Sequence, residues 1–132
     1  MSKRALGWRW LNEAAVIAAH ERQLAEHGGA PQLRDSGALQ SALARARNKA
    51  ASGEPEAAEL AAAYAFGIAR NHPFVDGNKR VALLALETFL LDNGFELAAE
   101  DVATYEAIIN LAGGEIGERG FAEWVRKRLV ER

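Results

Sequence analysis

Two stretches of this chain are apolar around most of a helical circumference, and they constrain its fold more than any other feature. From Glu56 to Asn71 alanine dominates, with Leu60, Tyr64, Phe66 and Ile68 spread around the helix. From Arg80 to Asn93, the residues Val81, Leu83, Leu84, Leu86, Phe89, Leu90 and Leu91 leave few faces for water, and Gly94 is placed as a left-handed terminator. A helix apolar on several sides must be enclosed by other elements. Two such helices predict an all-α bundle built around them.

The rest of the chain supplies the enclosure. Leu11, Ala14, Ala15, Ala18 and Ala19 recur at helical spacing until Gly28-Gly29 stops the pattern. After a turn at Pro31, Asp35 or Ser36 can cap a second helix that shares Leu39, Ala42, Leu43 and Ala46 on one face and ends near Lys49. AASGEPEA, residues 50–57, is a connecting loop. Phe95 to Leu97 is briefly extended, Asp101 to Ala112 is helical, and Glu118 to Leu129 forms an amphipathic last helix. The expectation is a compact bundle of about six helices, with strand patterning nearly absent.

At 132 residues the chain suits one domain, 1–132. Without cysteine, disulfides, thiolate metal sites and cysteine nucleophiles are excluded. MSKRALGWRW holds no apolar run of signal-peptide length and no segment approaches a membrane span, so a cytoplasmic, membrane-free protein is expected. A net charge of −2, with no long block of either sign, argues against direct nucleic-acid binding. Arg45, Arg47 and Lys49, and likewise Arg126, Lys127 and Arg128, are expected to be solvated helix faces. His20 and His27 have no acidic or cysteine partners at ligand spacing and are expected on the surface. Trp8, Trp10 and Trp124, with no basic stripe beside them, are expected to be packing residues and not stacking platforms.

Chemistry concentrates in the segment between the two apolar helices, Arg70-Asn71-His72-Pro73-Phe74-Val75-Asp76-Gly77-Asn78-Lys79-Arg80. Backbone N–H groups at a helix start are unsatisfied and carry partial positive charge, which attracts phosphate. Gly77 permits close backbone approach, Asn78 is a good N-cap, and Lys79 and Arg80 add full charges. Two exposed cations in a first helical turn are disfavoured by the macrodipole by ~0.3–1 kcal/mol each. An anionic ligand reverses that. Asp76 is near enough to share the pocket, and one carboxylate with substrate phosphates is how Mg²⁺ is generally held. His72 is the natural acceptor of a hydroxyl proton near neutral pH.

The string HPFVDGNKR resembles the signature of the Fic/Doc family, and the chain length, helix arrangement and LRDSGALQSALARARN are similar to its death-on-curing branch. The resemblance implies a motif loop between two central helices. It implies that His72 deprotonates a target hydroxyl, Phe74 anchors the loop, Asp76 holds Mg²⁺, and Gly77, Asn78, Lys79 and Arg80 line the phosphate site, with Arg70 as a further contributor. Adenylylating members usually carry a second glycine where this chain has Lys79 and an arginine where it has Leu83. The lysine form resembles kinases that phosphorylate translation elongation factor Tu. A protein Ser/Thr kinase using a nucleoside triphosphate such as ATP is therefore expected, with adenylyltransferase and idle anion-binding module as the alternatives. Val81 departs from the threonine common in that branch.

Self-inhibiting relatives carry a serine or threonine, three residues, then glutamate and glycine or asparagine. The nearest strings, Ser52 to Ala57 and Thr88 to Asn93, match only in part and are read as chance. Restraint by an antitoxin protein is the corresponding expectation. By the same resemblance, AASGEPEA corresponds to the flap that positions the target.

Overall fold

The computed structural model describes residues 7–132, so the first six residues of MSKRALGWRW lie outside it. Six helices and two short strands follow in the order α1 Glu13–His27, α2 Ser36–Ala51, α3 Ala57–Asn71, α4 Asn78–Asp92, β1 Phe95–Leu97, α5 Asp101–Ala112, α6 Glu118–Arg126 and β2 Leu129–Glu131. The fold is all-α, as the two apolar stretches require.

Local chemistry sets the helix ends. The Asn12 side chain accepts from Ala15 N at 2.8 Å and starts α1. Asp35 does the same for α2 through Ala38 N at 3.0 Å, which decides between Asp35 and Ser36. Glu56 and Glu59 form a reciprocal capping box at α3. The last helix stops at Arg126, short of Leu129, because Leu129–Glu131 pairs antiparallel with Phe95–Leu97, Phe95 opposite Glu131 and Leu97 opposite Leu129. Three-residue strands are too short for an alternating pattern to register.

The central pair is α3 and α4. Eleven of the fifteen residues of α3 are buried, and it packs on α2, α4, α5 and α6. Small side chains let these neighbours come close. At Gly67 a Cβ would fall 2.9 Å from Ala42 Cα, so the α2–α3 contact leaves no room for alanine. Helix α4 packs on α1, α3, α5 and β1. Its Phe89 meets Tyr64 at 5.2 Å between ring centroids, Trp8 at 6.0 Å and Trp10 at 6.1 Å. The Tyr64 hydroxyl accepts from Leu11 N at 3.1 Å, and burial raises its pKa. Trp124 stacks on Phe121. The tryptophans pack, as expected.

Helix α1 corrects the face read from the sequence. Ala14, Ala15 and Ala18 are exposed, and the buried stripe is Val16, Ala19, His20 and Gln23. Alanine carries too little apolar surface to fix which side turns inward. The basic clusters are also not simply solvated. Arg45 and Lys49 pair with Glu118 of α6, and Arg126 reaches Glu56 at 3.0 Å and Glu123 at 2.6 Å. No helix among the described residues is long and apolar enough to cross a membrane.

Candidate functional site

The polar loop spans from the end of α3 to the start of α4. His72 closes α3 in the left-handed region, φ 50 and ψ 57, and among the described residues it is the only non-glycine with positive φ. Such a conformation costs about 1–3 kcal/mol and persists only where surrounding contacts hold it. Here Arg34 provides the contacts: its Nε donates to His72 O at 2.7 Å and its Nη2 to Asn71 O at 2.8 Å. The chain around Arg34 runs antiparallel along the loop. Arg34 N and Asp35 N donate to Pro73 O at 2.7 and 3.0 Å, and Val75 N donates to Gln32 O at 2.9 Å.

The strip beside the loop is therefore 32–35, and not AASGEPEA. The latter is a loop only over 52–56, since Ala50-Ala51 end α2 and Ala57 begins α3, whose fifteen residues at ~1.5 Å each put about 22 Å between that loop and His72. It instead contacts α6 through the Glu56 to Arg126 ion pair.

The underside of the loop is pinned to α1. Phe74 is 1% exposed and lies flat on the His20 ring, with centroids 3.8 Å apart. His20 Nε2 is 2.8 Å from Asp76 O; a carbonyl only accepts, so Nε2 carries the proton. His20, expected on the surface, is 1% exposed. Its position four residues after Val16, on a stripe continued by Gln23, is the signal that marks it as inward-facing.

Asn78 does not cap α4. Gly77 takes the N-cap position at φ 81, and Asn78 begins the helix with its amide turned back: Oδ1 accepts from Phe74 N at 3.0 Å and Nδ2 donates to Phe74 O at 2.9 Å. The motif asparagine thus closes a ring around the anchor residue. With glycine at the N-cap the start of α4 has no side-chain cap, so the first N–H groups of the helix lack an internal acceptor.

Over that start opens a cleft of about 320 Å³. It is lined by Asp76, Gly77, Asn78, Lys79 and Arg80, by Tyr105 of α5, and by Gln23 and His27 of α1 with the Gly28-Gly29 turn. The Arg80 guanidinium lies 4.6 Å from the Tyr105 ring centroid, which holds a cation at the cleft edge. Asp76 is exposed, and its Oδ1 accepts from Gly77 N at 3.0 Å. Gly29 backs onto this carboxylate, since a Cβ there would lie 3.0 Å from Oδ2.

Five of the residues marked by the sequence thus share one cleft. His72 is exposed at the far end of the loop and is not part of the cleft wall, and Arg70 lies outside it too, 5.3 Å from the Phe66 ring centroid. The α1 residues and Tyr105 are the additions that sequence reasoning missed. No group of three or more potential metal-ligating side chains occurs among the described residues. The donor set, one exposed carboxylate beside an anion site, suits Mg²⁺ arriving with phosphates, which supply its other ligands together with water.

Fold and cleft together define a class: an all-α protein presenting an uncapped, doubly cationic helix start to solvent, with a histidine at the other end of the same loop. The chain belongs to the Fic/DOC family, whose model matches residues 10–90. It is similar to "Protein kinase doc" of Escherichia phage P1, 29% identical over 120 residues that cover 90% of this chain and 94% of the relative. It is also similar to "Toxin Doc" of Mycolicibacterium smegmatis, 44% identical over 86 residues covering 63% of this chain and 66% of that protein.

Proposed function

We propose that this chain is the toxin of a toxin-antitoxin pair and that it transfers a phosphoryl group from ATP to a Ser/Thr hydroxyl of a protein. The observation that carries this reading is the cleft over the α4 start, where Lys79, Arg80 and free backbone N–H groups converge beside the Asp76 carboxylate. The names of the two relatives, one a kinase and one a toxin, support it.

In this reading the triphosphate lies along the α4 start, with its charge met by Lys79, Arg80 and the helix N–H groups. Asp76 would hold Mg²⁺, which neutralises phosphate charge and fixes the chain's orientation. His72 takes the proton from the target hydroxyl, whose oxygen bonds to the γ-phosphorus as the bond to the bridging oxygen breaks and ADP departs. Lys79, where adenylylating relatives have glycine, favours the γ-phosphoryl over the adenylyl group. Translation elongation factor Tu is the proposed target, so that transfer halts translation in the cytoplasm. An antitoxin segment folding into a groove of the toxin is the proposed restraint.

The test is transfer of label from ATP carrying it either on the γ-phosphate or in the adenine, with a bacterial lysate and purified elongation factor Tu as acceptors. The γ-label is expected to move, and the His72→Ala variant to transfer nothing. Movement of the adenine label would replace kinase with adenylyltransferase, and movement of neither would leave an anion-binding module.

A further inference from the structure

Gln23 belongs to α1, outside the motif loop, yet it borders the cleft while being only 5% exposed. Its side-chain nitrogen is buried and has no hydrogen-bond partner. Asp76, which lines the same cleft, does not accept from it either. The carboxamide is pressed against Gly77, the N-cap of α4: a Cβ there would lie 2.0 Å from Gln23 Nε2. Gly77 is thus glycine for two reasons, its φ of 81 and the amide occupying the space where a side chain would go.

A buried amide without an acceptor is costly, and native interiors seldom keep one without a use for it. A methionine of the same length would fill the position against Gly77 without that cost. No protein group accepts from it, and a ligand oxygen seated in the cleft would supply the missing partner. Its character follows from the surroundings. Beside the amide lie the uncapped N–H groups of the α4 start, then Lys79 and Arg80, and all of these select anionic oxygen.

We propose that Gln23 is a further nucleotide-positioning residue, whose Nε2 donates to a phosphoryl oxygen of the triphosphate seated on the α4 start. The inference rests on the nucleotide-binding reading above and adds a contact from α1.

Calorimetry with Mg-ATP and, separately, with Mg-tripolyphosphate tests it on the full chain, using wild type, Gln23→Met and Gln23→Glu. Gln23→Met is expected to bind both probes about tenfold more weakly, as loss of one hydrogen bond to a charged group implies. The same variant without ligand is expected to melt at the wild-type temperature or above it, since an orphaned amide has been removed. A residue serving only to pack would give the opposite pair of results. Gln23→Glu, which places an acceptor and a charge at the phosphates, is expected to bind more weakly still. Undiminished binding of both probes by Gln23→Met overturns the proposal. Weakening toward Mg-ATP alone would put the amide on the nucleoside and overturn the phosphoryl assignment. If wild type bound neither probe, the nucleotide reading itself would fall, and this inference with it.

Discussion

His72 is held by its neighbours more than by its own chemistry. Its left-handed backbone lies between a buried Phe74 and two donors from Arg34, an exposed residue in a segment with no regular structure of its own. Arg34→Ala is accordingly expected to leave the fold intact and to lower turnover by about ten- to a hundredfold, as small misplacements of a reacting group do. The KM for ATP should change little, because Arg34 is not in the cleft wall. Steady-state phosphorylation assays separate the two parameters, and an equal loss in both would count against a role confined to His72. Nothing in the sequence around Arg34 announces this contact. The motif residues themselves were legible because their chemistry is concentrated in one short segment. Asn78 shows the limit of such reading: its residue type suggested a cap, and only the folded loop reveals that its amide is committed to the Phe74 backbone.

At the scale of elements, long apolar helices were readable and weakly patterned ones were not. Helices α3 and α4 carry large side chains at many positions, whereas α1 is rich in alanine and its inward face is chosen by packing. The two strands exist because the chain after α6 returns alongside β1, a long-range pairing that no local pattern encodes. Contact between α4 and α5 also creates a carboxyl pair. Glu87 is half-buried on α4, and desolvation, the charge of Asp101 and a hydrogen bond with Asp101 push its pKa up to about 7 from 4.5. The folded state therefore binds this proton more tightly than the unfolded chain does. Its contribution to stability is fully present below pH 4.5 and is lost as the pH rises toward about 7. Glu87→Gln, which imitates the protonated form, is expected to flatten this dependence. Thermal melts of both proteins between those limits check it, and parallel curves would show that the pair does not stabilise the fold in this way.

On the scale of the whole molecule, the α3–α4 pair separates the duties of stability and chemistry along its length. The loop and cleft occupy one end, where polar residues replace apolar ones. Further along α4, Phe89 gathers Trp8, Trp10 and Tyr64, so the segment before α1, the central helix and α4 are joined at a single ring. Phe89 is fully buried, and truncation of such a ring costs about 3–5 kcal/mol through lost transfer energy and the cavity left behind. It lies ten residues from Lys79, about 15 Å along the helix at ~1.5 Å per residue. Phe89→Ala should therefore lower the denaturant midpoint strongly yet leave Mg-ATP affinity near wild type wherever the variant is still folded. Urea titration gives the first quantity and calorimetry at low temperature the second. Loss of affinity in the folded variant would show that the aromatic cluster reaches the cleft through α4, and that stability and ligand binding are coupled along the helix that connects them.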